Sequence, residues 1–67
     1  MNVFLNNEPL EVNNSINLIE ILELKNLKQK KGIAVAVNNQ IIPKMNWDKH
    51  TINENDKLMV IQATQGG

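Results

Sequence analysis

Helical periodicity runs for more than two turns in only one stretch of this chain, and that limits the fold more than any other feature. Leu18 and Leu22, then Ile21 and Leu24, share the three-and-four spacing of one helix face. Asn17 stands where its side chain can cap the first turn with Glu20 at the third helical position, and Ile16 and Ile21 are spaced as a hydrophobic staple. Lys25, Lys28, Lys30 and Lys31 follow just before Gly32. Cations suit the negative end of a helix and glycine suits a left-handed cap, so the pattern predicts a helix ending at Gly32. The lysines read as a solvated helix end and not as an anion site, a reading that a partner with an acidic face would reverse.

The other long apolar stretches are of strand length. Val3 and Leu5 alternate with polar neighbours, and after an Asn6-Asn7 turn Leu10 and Val12 do the same, which predicts a hairpin. Ile33-Ala34-Val35-Ala36-Val37 is nearly all apolar and reads as a central strand, its alanines leaving one face open to close approach. Asn38-Asn39 turns the chain into a short strand, residues 40–42, which Pro43 ends or places at an edge. Residues 44–50 read as one or two helical turns carrying Trp47. After a turn at residues 53–56, residues 57–63 form the last strand, apolar enough to lie inside the sheet. One helix can cover one face of one sheet, so the predicted class is α+β, a mixed sheet curled around a single helix.

The domain is expected to span residues 1–63 of the 67, with residues 64–67 a flexible tail. A chain this short buries only about 60% of its unfolded surface, which permits one thin core and argues against a self-contained active-site cleft. Seven lysines balance seven acidic residues, so no cationic surplus points to nucleic acid. Without cysteine there is no disulfide, thiolate metal site or thiol nucleophile. The amino end resembles neither a signal peptide nor a membrane span, and a cytoplasmic monomer is expected. The twelve asparagines, scattered at turns, and the use of lysine without arginine read as compositional background.

Catalytic groups are sparse. His50 is the one side chain whose ordinary titration lies near neutrality, and no nucleophile accompanies it. Ser15 lies at the predicted helix start, where it would satisfy backbone donors. Asp48, Glu54 and Asp56 lack metal-loop spacing, so neither a metal nor a bound cofactor is expected. What remains is the end, Thr64-Gln65-Gly66-Gly67, which follows a strand and could project its carboxylate up to about 13 Å. Two residues without Cβ could enter a channel too narrow for any other. A carboxylate is a poor electrophile and would need activation, for example as a mixed anhydride with AMP.

Val37-Asn38-Asn39-Gln40-Ile41-Ile42-Pro43-Lys44, followed by Trp47 and His50, then Asn55-Asp56 before an apolar strand and the terminal Gly66-Gly67, resembles the sulfur-carrier family of thiamine biosynthesis over essentially the whole chain. The resemblance implies the ubiquitin-like β-grasp fold, which agrees with the strand-strand-helix-strand order. It also implies a mechanism in which a separate adenylating enzyme uses ATP and magnesium to activate Gly67. Sulfur from a cysteine desulfurase or another persulfide donor then replaces AMP, and the Gly67 thiocarboxylate supplies a thiazole synthase. By the same resemblance Gly66 and Gly67 thread into the partner, while Thr64, Gln65, Pro43, Lys44 and Trp47 contribute to the partner interface. Trp47 itself reads as a packing anchor, because large aromatics mainly bury area.

The chain departs from the family pattern in three places. Asn55 stands where glycine is common, Lys44 where arginine is frequent, and Thr64 where an apolar residue is usual. Asparagine tolerates a left-handed backbone, so the first change costs little. Lysine cannot make the bidentate contacts of arginine, and Thr64 alters how the tail would pack in a groove. The rival functions are a molybdopterin-type sulfur carrier, a ubiquitin-like protein modifier, and a β-grasp binding module whose tail is incidental.

Overall fold

In a computed structural model of the protein, which describes residues 1–62, the elements follow in the order β1 (Asn2–Leu5), β2 (Glu8–Glu11), α1 (Leu18–Leu24), β3 (Ile33–Val37), β4 (Gln40–Ile42), a 3₁₀ turn (Lys44–Asn46) and β5 (Lys57–Gln62). The expected boundary after residue 63 and the tail 64–67 lie outside the described residues. The strands form one sheet in the order β2-β1-β5-β3-β4. β1 and β5, the first and last strands, run parallel at its centre, and the other pairs are antiparallel. No helix among the described residues is long and apolar enough to cross a membrane.

Two-residue hairpin turns match strand twist best when both residues have positive φ, a conformation that asparagine tolerates better than most. Both predicted turns are of this kind. Asn6 and Asn7 have φ of 50° and 70°, and Asn38 and Asn39 have 51° and 70°. Asn26 and Asn55 are also left-handed, so six of the twelve asparagines occupy backbone positions that few other residues would accept. Asparagine is therefore more than compositional background here.

Several of these side chains also bind the sheet together. The Asn6 side chain accepts from the Val60 N–H (2.8 Å) and donates to the Val60 carbonyl (3.4 Å), continuing the β5 ladder where β1 turns away. The Asn38 side chain donates to the buried Asp56 carboxylate (2.9 Å) and accepts from the Lys57 N–H (3.0 Å). Asp56 in turn accepts from the Asn53 N–H (2.8 Å), joining the turn before β5 to the β3–β4 hairpin.

The start of α1 follows the sequence. The Asn17 side chain accepts from the Glu20 N–H and the Glu20 carboxylate accepts from the Asn17 N–H, a reciprocal capping box. Leu18, Ile21 and Leu22 are buried, and Ile16 packs on the core that contains them.

Its end does not follow the expectation. The helix stops at Leu24, not at Gly32, because Asn26 takes the left-handed position (φ 60°). The Leu27 N–H donates to the Leu22 carbonyl (2.7 Å) and the Asn26 N–H to the Glu23 carbonyl (3.0 Å), which is the Schellman arrangement, and Leu27 packs on the core. Asn26→Val is expected to lower the unfolding free energy by about 1–2 kcal/mol, while Asn26→Gly should leave it within about 0.5 kcal/mol. Urea unfolding of the two variants would separate the left-handed requirement from any contact of the side chain.

Candidate functional site

Of the sparse polar candidates, His50 contributes its main-chain carbonyl and Glu54 its side chain to the backbone network. The His50 carbonyl accepts from the Leu18 N–H (2.9 Å), and the Glu54 carboxylate accepts from the Asn2 N–H (2.9 Å). Helix capping falls to Asn17, with Ser15 two residues earlier in a left-handed turn (φ 65°). Among the described residues no three His, Asp or Glu side chains stand close enough to hold a metal ion. The hollows at Glu23 and Asn26 and at Lys30 and Lys44 are surface grooves of about 290 and 310 Å³.

Pro43, Lys44 and Trp47 belong to one connection, but only the first two reach the surface. Pro43 ends β4, and the carbonyl of Ile42 is taken up by the buried indole Nε1–H of Trp47 at 2.9 Å. The indole is 3% exposed and lies in the core with Ile42 and Ile52. Trp47 thus fills the packing role, and what little of it is exposed lies at the groove bordered by Lys30 and Lys44. Residues 47–50 also support α1: the Trp47 carbonyl accepts from the Ile19 N–H (3.2 Å) and the Asp48 carbonyl from the Asn17 side chain (3.2 Å).

The alanine face of residues 33–37 belongs to a larger feature that sequence reasoning missed, the uncovered apolar face of the sheet. Side chains alternate across a strand, so with Val35, Val37 and Leu58 turned toward α1, Ala34, Ala36, Met59 and Ile61 point the other way. Ala36 pairs with Met59 on one side and Ile41 on the other, and Ala34 pairs with Ile61. Ile41 is 61% exposed, Ile61 56% and Met59 40%. The signal was present in the sequence: two nearly unbroken apolar strands in a chain with one helix must leave apolar residues on the side that the helix cannot reach.

This face runs to the end of β5. Ile33, the first residue of β3, pairs with Gln62, so β5 ends beside the start of β3. Gly66, Gly67, Thr64 and Gln65 lie outside the described residues. The described part therefore offers a five-stranded sheet whose apolar face extends to the end of β5, and no convergent acid, base or nucleophile.

The ThiS family model matches residues 3–67. The chain is 28% identical to the sulfur carrier protein ThiS of Escherichia coli (strain K12), with both sequences covered in full. It is 31% identical over 64 residues to an uncharacterised protein of Trieres chinensis, covering 96% of this chain and 86% of that one. The fold matches the crystal structure of the thiamine biosynthesis protein ThiS from Geobacter metallireducens with a TM-score of 0.86 at 25% identity, across the whole of both chains. A solution structure of a thiamine biosynthesis protein from the same organism matches with a TM-score of 0.78, also at 25% identity, over all of this chain and 88% of that one. The ubiquitin-like β-grasp fold, the full-length match and the terminal glycine pair agree, and the chain belongs to the ThiS family, the sulfur carriers of thiamine biosynthesis.

Proposed function

We propose that this carrier holds sulfur as a thiocarboxylate on Gly67. A separate adenylating enzyme, with ATP and magnesium, joins the terminal carboxylate to AMP and releases pyrophosphate. A persulfide from a cysteine desulfurase or another donor attacks the activated carbonyl and AMP leaves. A second thiol opens the resulting acyl disulfide, and the thiocarboxylate delivers its sulfur to a thiazole synthase. The observation that carries this reading is a family match that runs through Gly66 and Gly67 in a chain otherwise poor in reactive groups. The open face around Ile41, Met59 and Ile61 supports it, since a partner needs a surface by which to hold the domain while the tail is threaded.

Incubation with the adenylating enzyme, ATP, magnesium and a persulfide donor is expected to raise the intact mass by the difference between one sulfur and one oxygen. Fragmentation should place the gain on Gly67. A gain on a lysine, or none at all, would reject the mechanism.

A further inference from the structure

Ending α1 at Leu24 leaves the lysines of the α1–β3 loop unexplained. None lies in the last helical turn, so the helix dipole gives no reason for Lys28, Lys30 and Lys31. With Lys44 they line one groove of about 310 Å³, bordered by Gly32 and Ile33. Lys28 is 3.3 Å from Glu23, whereas Lys30, Lys31 and Lys44 form no ion pair among the described residues. Gathering like charges without partners does nothing for the folded state and adds repulsion. Meanwhile Glu8 and Glu11 sit on β2 at the far edge of the sheet, and Glu54 and Asp56 precede β5 at the end opposite Gln62. The chain is neutral overall but has a basic end.

That end is where β5 finishes. Ile33 borders the groove and pairs with Gln62, so the lysines flank the root of the segment that carries Gly67. Ile33 points to the α1 side with Val35, whereas Ala34 and Ile61 point to the open face, so the groove and the apolar face lie on opposite sides of the sheet and share only its end at Ile33 and Gln62.

We propose that the Lys28–Lys31 loop and Lys44 form a basic docking rim that meets carboxylates around the tail-accepting cleft of the adenylating enzyme; this rests on the carrier reading. Threading a short tail into a narrow channel depends on the orientation of encounter. Opposite charges beside the tail raise the fraction of productive encounters, and the screening length of about 8 Å at physiological salt keeps the effect local to the rim. Exposed lysines act in this way as point charges that set the association rate more than the lifetime of the complex. Four cations on a neutral chain are too few to favour nucleic acid.

The test compares K30Q/K31Q with K49Q/K57Q, which removes the same charge away from the groove. Association of the full-length chains with the adenylating enzyme of the same organism would be followed by stopped flow at about 30 mM and about 300 mM salt. K30Q/K31Q should associate about tenfold more slowly at low salt, with the difference closing at high salt, while K49Q/K57Q stays within about twofold of the unaltered chain. Equal rates for the two variants, no salt dependence, or no association of the unaltered chain would overturn the docking rim. So would an effect of K30Q/K31Q on duplex DNA binding in place of enzyme binding, which would assign the groove to nucleic acid. The intact-mass assay on the unaltered chain reports separately on the carrier reading: sulfur gained with indistinguishable variants removes the rim alone, whereas no sulfur gained removes the reading itself.

Discussion

A chain lengthened by one residue after Gly67, and a Gly66→Val variant, are each expected to lose sulfur acceptance by at least about a hundredfold while unfolding at the same urea concentration as the unaltered chain. Both changes act on geometry. One added residue shifts the terminal carboxylate by up to about 3.5 Å, and a misplacement of about 1 Å at a reacting centre can cost about a hundredfold in rate. Valine at position 66 adds a branched side chain where the approach to the carboxylate is expected to be narrow, and it restricts the backbone to fewer conformations. Neither change alters a member of the described core, which runs from Val3 to Leu58. Pyrophosphate release by the adenylating enzyme reads the first step and intact mass the second, so a defect in activation can be told from one in sulfur transfer. Normal adenylation of both variants would mean that the tail is not threaded, and would favour a β-grasp module whose glycine pair is incidental.

What the sequence made legible was local. The Asn17 to Glu20 capping box, the two asparagine turns and the break at Pro43 each depend on residues within a few positions of one another, and each is found where the pattern placed it. The helix end was misjudged because two residues competed for one role. Gly32 is left-handed (φ 71°), as a cap glycine would be, but Asn26 is left-handed six residues earlier and Leu27 supplies the apolar contact that completes the motif. In sequence, Leu27 is indistinguishable from a continuation of the helical stripe through Leu24. The parallel pairing of β1 with β5 joins the two ends of the chain, so no local pattern could announce it. The open face needed both pieces at once, the sheet order and the side on which α1 lies. The proposed chemistry was the reverse case: Gly66 and Gly67 stand out by their position in the sequence and lie beyond the described fold.

Replacing Trp47 with alanine is expected to unfold most of the protein at room temperature. The indole is 3% exposed, and truncating a large buried aromatic costs about 3–5 kcal/mol. Its Nε1–H also satisfies the buried Ile42 carbonyl at 2.9 Å, and a buried acceptor left without a partner adds about 1–3 kcal/mol unless water enters the space. A domain of 67 residues has a total stability of only about 3–10 kcal/mol at the usual value per residue, so the loss is comparable to the whole. The damage would spread to the start of α1, because residues 47–50 provide the carbonyls that receive the Leu18 and Ile19 N–H groups. Trp47→Phe keeps most of the buried area but removes the indole donor, and it should cost about 1–3 kcal/mol and remain folded. Trp47 is the sole tryptophan, so unfolding of the variants must be followed by far-ultraviolet circular dichroism in place of fluorescence. If Trp47→Ala instead folds as the unaltered chain does and fails only to associate with the adenylating enzyme, then Trp47 works at the interface, and the core position in which the fold holds its indole is not the one used in the complex.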